Sequence, residues 1–400
     1  MLAVSEAQAI VLHHARPLSP IDAPLTGDAL GLVLAEDVAS DLDMPPFDKA
    51  LMDGYAVRAA DLTHIGGSLA VIEEVTAGCT PKRIVGPGQA TRIMTGAPMP
   101  DGADAVVMVE RTRVLDDKQV RLEETARAGQ NVLARGEEMR RGQTVLTAGA
   151  ILRPQEFGVL ASVGRTTIKV YPRPRVALLA TGDELVEASQ VPGPGQIRNS
   201  NGPMLAAQVL RAGGIPHALG IGRDRVDHLR GLIAEGLRAP ILLLSGGVSA
   251  GKLDLVPGVL QELGVQPHFH SVKLKPGKPL LFGTVDGALV FGLPGNPVSS
   301  LVCFELFVRP AIRELAGHAD PGPIELRALL TEDFPYRSDR PTYHPAWLEY
   351  RENGWSVRPV PWFGSPDLRG LTRANSFVIL PAGDHLHRAG KPMSVLKVED

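Results

Sequence analysis

Residues 241–254 read ILLLSGGVSAGKLD, an unbroken apolar run that ends in a Gly-rich polar loop. A surface helix would interrupt the run with polar residues and a half-buried strand would alternate, so the run fits a strand covered on both faces. The same texture recurs upstream, where apolar runs at 176–180 and 217–221 lead into Thr181-Gly182-Asp183-Glu184 and Gly222-Arg223-Asp224. Helical periodicity fills the intervals at 203–212 and 227–237, then returns at 255–263 and 298–315, with further strands near Leu280 and Leu289. This alternation predicts a three-layer α/β/α domain around a parallel sheet, spanning 173–320.

Ligands of such a sheet bind at the carboxyl ends of its strands, where loops converge and helix N-termini point inward. Five loops fall on that edge: TGDE (181–184), GRD (222–224), SGGVSAGKLD (245–254), KLKPGKP (273–279) and GLPGNP (292–297). Glycines such as Gly246, Gly247, Gly251 and Gly295 let backbone N–H groups approach an anion, lysines such as Lys275 and Lys278 neutralise it, and the carboxylates of Glu184, Asp224 and Asp254 suit a divalent cation. Taken together, the edge predicts phosphoanhydride chemistry. Each feature also has a plain reading, since Asp224 and Asp254 precede helices as N-caps would and Gly246-Gly247 is a tight turn. Five loops mimicking one anion-binding edge by accident is the weaker reading. Asn199-Ser200-Asn201 before Gly202-Pro203 is a capping signature that needs no function.

Outside this domain, 5–16 predicts an amphipathic helix capped by Ser5 and ended by Pro17, and a shorter helical stretch follows Gly27. Short alternating runs between Gly and Pro clusters predict an inserted β-rich domain over 44–139, flanked by a helical and linker domain made of 1–43 and 140–172. Pro172-Arg173-Pro174 is a stiff joint at the boundary. After Pro321 the pattern is β again, with Asn353-Gly354 as a two-residue hairpin turn, so 321–400 reads as a small C-terminal β domain. Within the inserted domain, PPFDKALMDGYAV (45–57) and IMTGAPMPDGADAVV (93–107) are more polar and Gly-rich than packing requires, although two well-made turns would also look so.

Composition bounds the function. A chain of 400 residues exceeds one core and predicts two to four domains, and 43 Gly with 34 Pro implies many specified turns. A net charge of -3 and no basic patch argue against nucleic acid and acidic lipid as partners. Cys79 and Cys303 stand alone, without zinc-site spacing or a disulfide framework, which predicts a reduced, cytoplasmic protein. No basic stretch precedes an apolar core at the N-terminus and no apolar run reaches the length of a membrane span, so neither export nor insertion is expected.

The stretches MDGYAV, IMTGAPMPDGADAVV, TGDEL, SGGVSAGKLD, KPGKPL and GLPGNPVSS, in this order over essentially the whole chain, resemble the MoeA family and the E domain of gephyrin. The resemblance implies four domains, the third of molybdopterin-binding type and shared with the molybdopterin adenylyltransferase of the preceding step, itself a candidate partner. It also implies an elongated homodimer whose cleft lies between the α/β domain of one subunit and the β-rich domain of the other. The implied activity is that of a molybdopterin molybdenumtransferase, which joins molybdate to adenylylated molybdopterin with magnesium and releases AMP. Family positions fall on Asp53, Thr95, Glu138, Glu184, Asp224, Asp254, Lys275 and Lys278, with Glu137 an alternative to Glu138. Of these, Glu138, Glu184, Asp224 and Asp254 are the metal candidates, while Gly246, Gly247, Ser249, Gly251, Pro294, Gly295 and Asn296 line the substrate loops. The chain departs from the pattern at Lys49-Ala50-Leu51, Arg225 and Lys252, which add positive charge near the anion site. Two other readings are an adenylyltransferase, whose α/β domain would look alike, and a non-catalytic dimeric scaffold.

Overall fold

The computed structural model describes residues 1–247, 255–352 and 354–398. Ser249, Gly251, Lys252 and Asp254 of the sequence reading therefore lie outside the described residues. The chain forms two compact units, one of Met1–Ala23, Ala29–Ala35 and Lys169–Asp400, the other of Pro24–Asp28 and Glu36–Ile168.

The larger unit is built on a six-stranded sheet in the order Ile215–Gly222, Arg175–Thr181, Ile241–Ser245, Ala288–Leu293, Pro279–Val285, Gln266–Ser271. The first four are mutually parallel. The unbroken apolar runs arise because successive residues enter different cores. Val176, Leu178, Ile241 and Leu243 meet Leu205, Val209 and Ile312 on one face, while Ala177, Leu179, Leu242 and Leu244 meet Leu229, Ile233 and Val259 on the other. Each such leucine contributes about 1.5–3 kcal/mol of burial. The helices Asn201–Arg211, Pro297–Cys303 and Arg309–Leu315 cover the first face, and Val226–Gly236 and Val256–Glu262 the second, which completes three layers.

The sheet is not parallel throughout. Pro279–Val285 runs antiparallel to both neighbours, because Asp286-Gly287, with φ of 48° and 83°, closes a two-residue hairpin into Ala288–Leu293. Gln266–Ser271 again runs with the parallel strands, so the lysine-bearing loop after it emerges at the same edge as the other site loops.

Two helices also differ from expectation. The first spans Val4–His14, and its N-cap is Ala3, whose N–H donates to the Glu6 carboxylate at 2.7 Å, so Ser5 is already helical. The expected helix 298–315 is divided by a π turn at Phe304–Val308, just before Pro310, which cannot donate to the preceding turn. Glu305 in this turn is 2% exposed and accepts from Arg211, Arg309 and Gln208.

The C-terminal part of this unit is a closed barrel in the order Glu325–Leu330, Gly354–Pro359, Thr342–Arg351, Ser376–Leu380, Pro392–Lys397, filled by residues including Leu330, Ala346, Val357, Val378 and Val395. Arg351 pairs with Gly354, so Gly354 already belongs to the second strand rather than to an Asn353-Gly354 turn, and Asn353 lies outside the described residues.

The other unit holds a six-stranded sheet in the order Ala105–Met108, Gly54–Val57, Gln89–Ile93, Ser68–Val75, Gln119–Leu122, Thr112–Asp116. Gly54 of MDGYA is fixed by close approach, since an added Cβ would lie 1.9 Å from the Val107 carbonyl oxygen.

Candidate active site

The strand Ile241–Ser245 delivers Gly246 and Gly247 to the sheet edge with φ of 92° and 63°. A side chain at either would be strained, and its Cβ would sit 2.6 Å from Thr181 O or 2.7 Å from Thr181 Oγ1. Only glycine lets this backbone lie against the first strand. The turn and the Pro294-Gly295-Asn296 loop border a cleft of ≈ 670 Å³ that Glu184 and Asn201 also line. Asn201 is the first residue of its helix rather than its cap, which is Ser200. Its buried Nδ2 donates to Ser245 Oγ and Gly295 O, both at 2.8 Å, and so ties two site loops together.

The TGDEL loop is held by a residue that the sequence reading did not single out. Arg223 donates to the carbonyls of Gly182, Asp183 and Leu185 at 3.4, 3.1 and 2.9 Å, and Asp224 N–H donates to Asp183 Oδ1 at 3.1 Å. Glu184 and Asp224 themselves are exposed at this edge. Arg223 was legible only as part of a Gly-Arg-Asp loop, because its carbonyl partners are fixed by the neighbouring strand rather than by spacing.

Beside the cleft, and sharing Pro279, Pro294 and Asn296 with it, is a pocket of ≈ 450 Å³ between the lysine loop and the C-terminal barrel. Lys275, Lys278 and Arg340 line it, and no Asp or Glu does among the described residues. Lys275 Nζ lies 5.5 Å from the centroid of the Tyr336 ring. Trp362 Nε1 is a buried N–H without a hydrogen-bond partner among the described residues, and Arg340 Nε, 3.4 Å from Asp339 Oδ1, likewise makes no aligned hydrogen bond. His344, also in the wall, is 5% exposed, and burial with the nearby Lys275 charge pushes its pKa down to about 4. The ring is neutral at physiological pH. From below, Cys303 packs against the lysine loop, with Sγ 3.6 Å from Gly277 O.

In the other unit, Asp53 Oδ1 accepts from both the backbone N–H and the hydroxyl of Thr95, each at 2.7 Å. These bonds, the backbone one foremost, hold the Asp53 carboxyl below the usual carboxylate range. Asp53 thus orders the MTGAP loop, an arrangement of backbone and hydroxyl that accounts for both motifs at once. Glu138 pairs with Lys49, Nζ to Oε1 at 3.2 Å.

Residues 2–164 match the MoeA N-terminal region (domain I and II), 177–314 a probable molybdopterin binding domain, and 327–398 the MoeA C-terminal region (domain IV). The chain belongs to the MoeA family. It is 35% identical over 381 residues to the molybdopterin molybdenumtransferase of Bacillus subtilis, covering 93% of this chain and 89% of that one. The protein of the same name from Nostoc is 38% identical over 386 residues, covering 92% and 87%. The crystal structure of the molybdopterin biosynthesis MoeA protein from Pyrococcus horikoshii superposes with a TM-score of 0.83 at 30% identity, over 99% of this chain and 100% of that one.

Against this MoeA frame, the larger unit brings together Glu184, Asp224, Lys275, Lys278, Gly246, Gly247, Pro294, Gly295 and Asn296 on one sheet edge, while Asp53, Thr95 and Glu138 share the other unit. Among the described residues no three His, Cys, Asp or Glu side chains stand close enough to hold a metal. Glu184, which lines the cleft, and Asp224, exposed on the loop after the next strand of the sheet, are nonetheless hard oxygen donors of the kind that magnesium takes, usually one or two protein carboxylates with the substrate's phosphates.

Proposed function

We propose that this chain is a molybdopterin molybdenumtransferase, joining molybdate to adenylylated molybdopterin and releasing AMP in molybdenum cofactor biosynthesis. The observation that carries the reading is the donor-rich pocket beside the Gly-rich cleft. A buried N–H without an acceptor costs about 1–3 kcal/mol, which an acceptor-rich ligand removes. Molybdate is such a ligand, a dianion with acceptor oxygens and no donor at neutral pH. We place it by Lys275, Lys278, Arg340 and Trp362, and the phosphates of the second substrate along the turns at Gly246-Gly247 and Pro294-Gly295-Asn296.

The two substrates repel. Unit charges 4 Å apart at an effective dielectric near 20 interact by about 4 kcal/mol, so cations fixed in advance lower the barrier. Lys275 and Lys278 sit on a loop whose backbone is held at each of them, Lys275 N–H donating to Pro341 O, Lys275 O accepting from Tyr343 N–H and Lys278 O accepting from Val272 N–H, and need little reorganisation. Glu184 and Asp224, with Asp254, are the residues to hold magnesium, which when bound would neutralise the pyrophosphate link. Asp53 keeps Thr95 oriented as a hydroxyl donor, and Lys49 shields Glu138.

We further infer a cytoplasmic homodimer whose cleft joins the lysine loop of one copy to the Thr95 loop of the other, a reading supported by the family resemblance. The adenylyltransferase reading is disfavoured because the family match extends through both flanking regions, and the scaffold reading because the lysine pocket keeps its charges. Incubation with adenylylated molybdopterin and magnesium, with and without molybdate, tests the choice. Molybdate-dependent AMP release is expected, and its absence overturns the proposal.

A further inference from the structure

We propose that a side cavity of the cleft reads the 2-amino-4-oxopyrimidine edge of the pterin, with Glu187 and Asn199 as its polar contacts; this rests on molybdopterin being the substrate. The cavity, ≈ 240 Å³, lies between the edge strand Ile215–Gly222 and the helix Asn201–Arg211, with Leu178, Leu205, Ala206 and Leu243 among its walls. It shares Ala180, Asn199 and Ser245 with the ≈ 670 Å³ cleft, so the two adjoin across a common wall. Its apolar walls suit a flat ring, and Glu187 is the charged residue that lines it among the described residues.

The polar pair is placed by backbone register. Leu185 pairs with Ile197 and Val186 with Arg198 in a short parallel ladder, and Asn199 N–H continues it to Val186 O at 2.9 Å. Glu187 and Asn199 are therefore neighbours just past the ladder. Asn199 Oδ1 accepts from Gly202 N–H at 2.9 Å, which fixes the amide and leaves Nδ2 as a donor. The Glu187 carboxylate makes no hydrogen bond or ion pair among the described residues; a bond in this residue runs instead from its backbone N–H to Gln190 Oε1.

One donor beside a two-oxygen acceptor complements a pterin edge, which offers O4 as acceptor and N3–H with the 2-amino group as adjacent donors. Adenine offers one ring acceptor next to one amino donor and cannot give a carboxylate two parallel N–H bonds. The cavity thus sorts the pterin end of the substrate from its adenine end, and so sets which end of the pyrophosphate faces the lysine pocket.

The test titrates the full chain with free pterin, with lumazine, which carries an oxo group in place of the 2-amino group, and with AMP, following pterin fluorescence or heat. Wild type should bind pterin at least ~10-fold more tightly than lumazine, and Glu187→Gln should lose about 10- to 100-fold for pterin while AMP affinity holds, the loss expected for one or two charge-assisted hydrogen bonds. Equal pterin affinity in the two proteins, equal pterin and lumazine affinity in wild type, or no pterin binding overturns the assignment. Turnover separates it from the parent reading: unchanged KM for adenylylated molybdopterin in Glu187→Gln sinks the cavity alone, whereas no molybdate-dependent AMP release from wild type sinks the activity.

Discussion

His344 shows how a single residue couples the lysine pocket to stability. Its folded pKa of about 4 lies below the ordinary 6.5, so between these values the unfolded chain binds a proton that the folded chain does not. Stability is therefore intact above pH 6.5 and falls as pH drops through the window toward 4. His318, likewise pushed to about 4 by burial, adds to the same slope. Urea midpoints measured from pH 7 to 5 should decline, and His344→Gln should flatten part of that decline. An unaltered slope would mean that His344 titrates normally and is not enclosed as described.

At the scale of elements, glycine positions separate packing constraint from mere turn composition. Gly54 sits in a central strand against Val107, and Gly54→Ala should cost its unit at least about 3 kcal/mol, the upper range for overpacking, because backbone rather than a movable side chain must yield. Gly158 lies in the helix Pro154–Ser162 of the same unit with nothing within 4 Å of an added Cβ. Gly158→Ala should raise stability by about 0.4–1 kcal/mol by restricting the unfolded chain. Opposite signs in chemical denaturation of that unit are expected; two equal effects would contradict the strand pairing. MDGYA was legible as a polar Gly-rich motif, but the reason for its glycine, a carbonyl from a strand some fifty residues onward, was not.

For the whole molecule, the inferred dimer predicts complementation. One chain with Asp53→Ala and Thr95→Ala and another with Lys278→Ala are each expected to be inactive. Co-expressed, they would form dimers of which about half are mixed, each mixed dimer having one intact cleft, so roughly a quarter of wild-type activity should return. No recovery, with mixed dimers confirmed by differential tags, would place both halves of the cleft in a single chain.

By itself the sequence determined the layers and the loops. Apolar runs such as Ile241–Ser245 marked strands buried on both faces, and the glycines, lysines and carboxylates following them marked the loops that the structure gathers at one sheet edge, because burial and backbone conformation are written locally in residue type. Naming molybdenum needed the family resemblance, since an anion-binding edge is common to many reactions. Tertiary structure alone decided the rest. The clamp from Arg223, the bridge from Asn201 and the orphaned donor of Trp362 depend on groups far apart in the chain. Hydrogen-bond partners and enclosed volumes are set by where strands and helices meet, and no periodicity records that.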